Sequence, residues 1–491
     1  MKTIINTLFF SAMMIFIPSC GDAWLDLRPS NNIELSDAIT TIADARSAIN
    51  GVYYEIQRDN YTGGRMVWHA DICGDDMRTW GNSSTRTGQT YCYDFNPQNV
   101  SAAIWQQAYT VIRQANNILS LIDKIEVLPA QEAERDYIKG EALMARAMAH
   151  FDLCRVYGYP YLKDNGASLG ACIVKTPVPA DSKPARNTVA ECYNDLIIPD
   201  LQAAIPMLST DKTVSQARFN RWAAKLLISR VYLYKGDNTN ALREAEECIT
   251  GAEAAGYELY TNANYLAQWQ TKYASESLFE IVNIPGQTTA GDSNVANSIG
   301  TWCAANSANA HHEIGLTKSF YDLLNADPDD VRLSVLRKGV ISDYPSLFPG
   351  FILKYTNGGT NAGESNVTLY RLSEAYLNAA EAAAKLNQND KAVKYLHAIV
   401  NRANPAKNVT GTVTPEMVLN ERRKELFGEG HRSFDLLRNG LTIYRSDDEA
   451  SRMLLPEHAK VIDWNNFRCI LPIPIQEIET NPNVKPNPWG N

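Results

Sequence analysis

Apolar residues recur at three- and four-residue steps through most of this chain, the pattern of helices that bury one face. Residues 36–56 form a first such segment, with Ser36 placed to cap it and Ile39, Ile42, Ile49, Val52 and Tyr53 along its stripe. Residues 101–122 repeat the pattern with Ile104, Trp105, Ala108, Ile112, Ala115 and Leu119. Residues 131–157 are richer in alanine, and Ala142, Ala145, Ala147 and Ala149 let a neighbouring helix come close. Residues 219–250 and 370–400 look like copies of one another. Each runs through an Ala- and Tyr-bearing helix to a short polar turn, Gly236-Asp237-Asn238 or Asn387-Gln388-Asn389. A second helix then follows, with Ala241 or Ala392 at the matching place.

Helix–turn–helix repetition of this kind predicts a tetratricopeptide-like scaffold, in which each pair buries its stripe only against its neighbours. Two polar stretches interrupt it, 63–99 and 283–312, rich in Gly, Ser, Thr and Asn with isolated aromatics. A strand-like run, 278–284, leads into the second. Loops this long inside a compact domain are uncommon, and are usually functional or disordered. Residues 159–184 are a further irregular connection, because Pro160, Pro177, Pro179 and Pro184 forbid regular helix. The fold class expected is therefore mainly α: a tetratricopeptide-like helix-pair scaffold with long irregular loops and a few short strands.

The start of the chain departs from this periodicity. Lys2 is followed by an almost unbroken apolar run, 4–17, which stops at Pro18-Ser19-Cys20. The run is too short to span a bilayer as a stable helix. It predicts a lipoprotein signal peptide over residues 1–19, cut before Cys20, which then carries acyl chains as a membrane anchor. The mature chain divides into an N-terminal region, 20–235, and a C-terminal region, 236–491.

Composition narrows the function classes. Of 491 residues, 45% are hydrophobic and 21% charged, ordinary globular values. A net charge of −9 argues against nucleic acid as partner, since no basic stripe is present to displace counterions. The nine cysteines form no CxxC pair or zinc-like spacing. Cys154, Cys192 and Cys248 fall in helical patterns and read as core, whereas Cys73 and Cys92 flank a polar loop and are a disulfide candidate in an exported protein. Asp327, Asp329 and Asp330, and likewise Asp447, Asp448 and Glu449, lack the alternating ligands and central glycine of a calcium loop. The serine-hydrolase, zincin, Walker and dinucleotide motifs are all missing. No catalytic residue, metal or cofactor is expected.

Residues 421–440, ERRKELFGEGHRSFDLLRNG, and 471–482, LPIPIQEIETNP, closely resemble the C-terminal signatures of the SusD/RagB family of surface lipoproteins. The segments YRLSEAYLNAAEA from Tyr370 and WQQAYTVIRQANNIL from Trp105 agree in order and spacing. The resemblance implies four tetratricopeptide-like pairs and an outer-membrane, lipid-anchored, surface-exposed position. It also implies a SusC-like TonB-dependent transporter as partner, with a glycan or similar nutrient as ligand. Read from the residues alone, the first signature sets opposite charges from Glu421 to Glu425 at helical spacing while Leu419, Leu426 and Phe427 face inward. Gly428 and Gly430 then end the helix, and His431, Arg432 and Asp435 open the next.

Sugars present apolar C–H faces and polar rims, which flat aromatic side chains and a few hydrogen-bonding groups hold. The two polar loops supply that mixture. Asp76, Arg78, Trp80 and Asn82 lie together in the first, with Tyr91 closing the region, and Trp302 and His311 lie in the second. These seven are the candidate ligand-binding residues, whereas Trp105, Trp222 and Trp269 read as core. An enzyme reading of the signature run would cast Glu425, Glu429 and His431 as acid–base groups. Two other classes remain: a surface glycoside hydrolase using two carboxylates, for which the sequence offers no pair in a recognisable setting, or a docking protein with no soluble ligand.

Overall fold

The computed structural model describes residues 38–80, 85–179, 181–214, 216–284, 296–303, 311, 313–337, 350–359, 361–447 and 454–489. Eight helices build the scaffold: α1 (Ile42–Gln57), α2 (Ala103–Leu121), α3 (Glu132–Tyr157), α4 (Ile198–Met207), α5 (Arg221–Lys235), α6 (Asn238–Ala254), α7 (Leu372–Lys385) and α8 (Asn389–Ala403). They pack as four successive pairs, and the pairs stack through α2 on α3, α4 on α5 and α6 on α7. This is the tetratricopeptide-like array expected.

Helix α1 starts later than the periodicity suggested. Its cap is Thr41, whose hydroxyl accepts from the Asp44 N–H at 3.2 Å while the Asp44 carboxylate accepts from the Thr41 N–H at 2.9 Å. Ser36 lies outside the described residues. The resemblance between 219–250 and 370–400 has a backbone cause. Gly236 ends α5 at φ +81°, and the Asp237 N–H reaches back to the Tyr232 carbonyl at 2.9 Å. In the copy, Asn387 takes the same left-handed position at φ +57°, and the Gln388 N–H reaches the Ala383 carbonyl at 2.8 Å. One turn geometry thus reverses both pairs.

Among the described residues the strands are short antiparallel ladders. Strand β1 (Met77–Thr79) pairs with β3 (Ile314–Leu316), β2 (Ser277–Ile281) with β6 (Val367–Arg371), and β4 (Leu336–Arg337) with β5 (Phe351–Ile352). Trp105 and Trp269 are core residues as expected, whereas Trp222 is only half-buried. Cys154, Cys192 and Cys248 are buried. The Cys73–Cys92 disulfide is not formed: both are buried cysteines in the reduced thiol form. Cys73 turns its sulfur toward the Thr90 carbonyl, at 3.8 Å, and burial pushes its thiol up to about 12.

Candidate functional site

The β1–β3 ladder joins the first polar loop to residues 314–316, just beyond the end of the second. Met77 pairs with Leu316, Arg78 with Gly315 and Thr79 with Ile314, across more than two hundred residues of intervening chain. A second stitch joins the Ile299 N–H to the Gly63 carbonyl at 2.9 Å. A third runs from the Thr79 hydroxyl through Thr87 to the Glu313 carboxylate, at 2.9 and 2.5 Å. The described residues of the two loops thus lie side by side, in what is called the crown below.

Trp80 stands at the end of β1. Its backbone N–H donates to the Glu313 carbonyl at 2.7 Å, and its ring lies 4.9 Å from that of Phe351, beneath the Arg78 guanidinium. Gly315 makes room for that ring: a Cβ there would sit 2.1 Å from the indole. The Trp80 Nε1 finds no hydrogen-bond partner among the described residues. On the other loop, Trp302 lies in a short helix, Ile299–Cys303, with its Nε1 donating to the Asn297 carbonyl at 3.0 Å. His311 stacks on it at 4.3 Å and 29°, and Trp68 packs at 6.3 Å.

The described candidates differ in their exposure. Trp80 and Trp302 are 6% and 7% exposed, and only His311 among the described candidates is open to solvent. Arg78 is fully buried against Trp80. Tyr91 is buried beneath the Arg445 guanidinium, 4.1 Å above its ring. Asp76 is buried in an ion-pair cluster. A strand covered on both faces desolvates its charged side chains, and they take internal partners. Asn82 and Cys20 lie outside the described residues.

Sequence reasoning did not foresee the partners of this layer in the signature run. Helix α9 (Pro415–Glu425) ends before Gly428 and Gly430, both at positive φ, and the turn delivers Arg432 at the head of α10 (Arg432–Arg438). Arg432 forks onto Asp75 at 2.6 and 3.0 Å, Arg423 reaches Asp76 at 2.5 Å, and the Gly430 N–H donates to Asp71 at 2.9 Å. Burial raises Asp76 to about 6, against the pull of Arg432 and Arg423. Burial likewise raises Asp71 to about 8, against the Gly430 N–H. The signature's charges were visible in sequence, but nothing there tied them to residues some 350 positions earlier.

The rest of the signature is a buried ion-pair network that adds distant partners to the helical neighbours Lys424–Glu421 and Arg438–Asp435. Glu425, fully buried, receives Arg402 at 2.7 Å, Arg371 at 2.8 Å and Arg332 at 3.4 Å. Glu429 binds Arg371 and Lys354. Arg422 spans Asp435 and Asn378, and Arg438 forks onto Glu381. Burial alone would raise Glu425, but Arg402, Arg371 and Arg332 outweigh it and hold the carboxyl well below its usual range. Burial keeps His431 neutral, well below the usual imidazole range. A carboxylate so clamped has no proton to give as a general acid.

A helical-repeat platform carrying an irregular aromatic crown, braced by buried charges, is the class of protein this architecture defines. Residues 23–233 match a SusD-like family described as starch-binding and associating with the outer membrane, and residues 349–489 match the SusD family. The chain belongs to the SusD family. It is similar to the crystal structure of a candidate sugar-binding protein from Bacteroides vulgatus ATCC 8482, at 44% identity and TM-score 0.84, covering 92% of this chain and 99% of that one. A SusD superfamily protein from the same strain shares 35% identity at TM-score 0.84, covering 92% and 100%. Surface glycan-binding protein A from Bacteroides thetaiotaomicron, solved in complex with laminarihexaose, shares the fold at 19% identity and TM-score 0.72, covering 91% and 100%.

Proposed function

We propose that this protein is a cell-surface glycan-binding lipoprotein. Its crown, around Trp80, Trp302, His311 and Asn82, takes an oligosaccharide and hands it to a SusC-like TonB-dependent transporter. Residues 1–19 are removed and acylated Cys20 tethers the platform to the outer membrane; it binds without turning its ligand over. The observation that supports this reading is the pairing of β1 with residues 314–316, together with the hydrogen bond from Ile299 to Gly63, which bring described residues of the two polar stretches close to one another. The starch-binding description of the family and the laminarihexaose complex of a structural relative support a glycan as ligand. Trp302 with the exposed His311 ring stacked on it is the most accessible aromatic surface among the described candidates.

Titration calorimetry of the form lacking residues 1–20 against starch and laminarin oligosaccharides tests the reading. Trp80→Ala and Trp302→Ala should each weaken binding by about fivefold or more, the loss of about 1 kcal/mol of aromatic contact, without unfolding the protein. Wild-type affinity in both variants removes the crown as the site. Chromatography of the incubated glycans separates binding from hydrolysis: released products would favour the two-carboxylate alternative.

A further inference from the structure

The crown and the C-terminal signature meet through a compact polar latch, at the point where the chain turns from the helix Arg65–Ile72 into β1. Four successive contacts hold that turn. The Asp71 carboxylate accepts from the Gly430 N–H at 2.9 Å, Asp75 takes both prongs of Arg432, Asp76 takes Arg423, and the Thr317 N–H donates to the Asp76 carbonyl at 2.8 Å. The Arg432 Nε also lies 3.2 Å from the second Asp76 oxygen, so one guanidinium braces two consecutive carboxylates. Backbone and side chain are close here: a Cβ on Gly74 would sit 2.8 Å from the Arg432 Cγ. Only Met77, Arg78 and Thr79 separate the braced Asp76 from Trp80.

We infer that Arg423 and Arg432 are positioning residues for the crown: by fixing Asp75 and Asp76 they set the placement of β1 and, through it, of the Trp80 ring. Resting on the glycan-binding reading, this names residues on a different element from the candidate site that determine how well that site is formed. The geometry gives the arginines more leverage than an ordinary surface pair has. A forked guanidinium fixes orientation as well as distance, and Asp76 is 1% exposed, so water does not replace a lost partner. The β1–β3 ladder has only three paired positions, too few to hold its own place without such an anchor.

The test labels the ligand-free protein with 5-fluorotryptophan and follows the ¹⁹F resonance of Trp80, assigned by Trp80→Phe. Arg423→Gln and Arg432→Gln should each move that resonance beyond its linewidth while Trp105 and Trp222, in the helical array, keep theirs. Arg432→Lys, which retains charge but not the fork, should leave it displaced. The double variant Asp75→Asn with Arg432→Gln removes both partners, leaves no unpaired charge in this pair, and should move Trp80 in the same way. An unmoved Trp80 resonance in both single glutamine variants overturns the inference. Movement of every tryptophan resonance in all the variants also overturns it, by assigning the arginines to general stability. In calorimetry with laminarihexaose, both glutamine variants should lose about fivefold or more in affinity. If laminarihexaose binds no form, wild type included, while Trp80 still moves, the positioning role stands and the result counts against the ligand reading alone.

Discussion

Glu425→Gln is the sharpest perturbation of the buried network, because the amide keeps the shape of the carboxylate and removes only its charge. Three guanidiniums converge on that carboxylate, but they depend on it unequally. Arg371 keeps Glu276 at 2.7 Å and Glu429 at 2.6 Å, and Arg332 keeps Asp330 at 2.6 Å and Glu421 at 2.7 Å. Among the described residues Arg402 keeps only weak contacts, Glu276 at 3.8 Å, the Ser373 hydroxyl at 3.5 Å and the Tyr265 ring at 4.9 Å, and two of its guanidinium nitrogens already lack hydrogen-bond partners. The substitution therefore strands one buried cation rather than three. Breaking a buried pair costs about 3–5 kcal/mol, so the loss belongs near the lower end, about 3 kcal/mol. Adding Arg402→Met removes the stranded charge, and the double variant should recover about 2 kcal/mol of that loss. The assay is urea unfolding followed by circular dichroism, read as the shift in midpoint at unchanged slope. The sign with pH is fixed as well. Glu425 has a folded value below its unfolded one, so its stabilisation is complete at neutral pH and is lost only as pH falls through the folded value. A Glu425→Gln loss below about 1 kcal/mol, or a double variant no better than the single one, refutes the reasoning.

The pH dependence on the crown side runs the other way. Burial raises Asp71 from 3.8 to about 8, so the stability it contributes is present below 3.8 and lost as pH rises through about 8. Asp71→Asn should therefore hold its melting temperature where wild type declines, between about pH 4 and about pH 8; parallel profiles across that range would contradict this. The thiols give a chemical test. Alkylation of the unfolded, unreduced protein should label both Cys73 and Cys92, and a pair of unlabelled peptides two hydrogens lighter would restore the disulfide.

The helical array was legible in the sequence because each of its signals is local. The stripe of α2 and the small residues of α3 announce their faces within a few turns. The reversal at Gly236 and Asn387 is written in residues that tolerate a left-handed backbone. The family resemblance supplied the number of pairs. The crown was legible only as composition: the residue types in 63–99 and 283–312 said that something other than packing was at work. The side chains' surroundings were not legible. Arg78, Asp76 and Tyr91 look like ligand groups in a polar loop, but a ladder to residues 314–316 and a guanidinium from position 445 bury them. Position 315 has to be glycine for Trp80 to lie where it does, and that contact is equally invisible along the chain. Helical spacing misled in one place. Glu421, Arg422 and Glu425 satisfy a surface charge ladder, and Glu421 does keep Lys424 at 2.6 Å, yet α9 turns those positions inward, where partners on other helices and loops join them.

Why a buried charge network should stand at this junction follows from what it joins. An apolar filling of the same volume would be at least as stabilising, since desolvation cancels much of what buried ion pairs gain. Hydrophobic contact, however, is non-directional, and it would let the turn at 428–430 and the strand at 77–79 slide against each other. Guanidinium forks do not slide. Arg371 ties the end of β6 to Glu425 and Glu429, Arg422 and Arg438 tie α9 and α10 to Asp435 and to Asn378 and Glu381 of α7, and Arg432 and Arg423 carry the series to Asp75 and Asp76. Each link fixes an angle as well as a distance. The series therefore transfers the rigidity of the last helix pair to a three-residue strand that could not supply its own. On this argument the signature run serves the placement of β1, and through it of the Trp80 ring, on the platform that presents it.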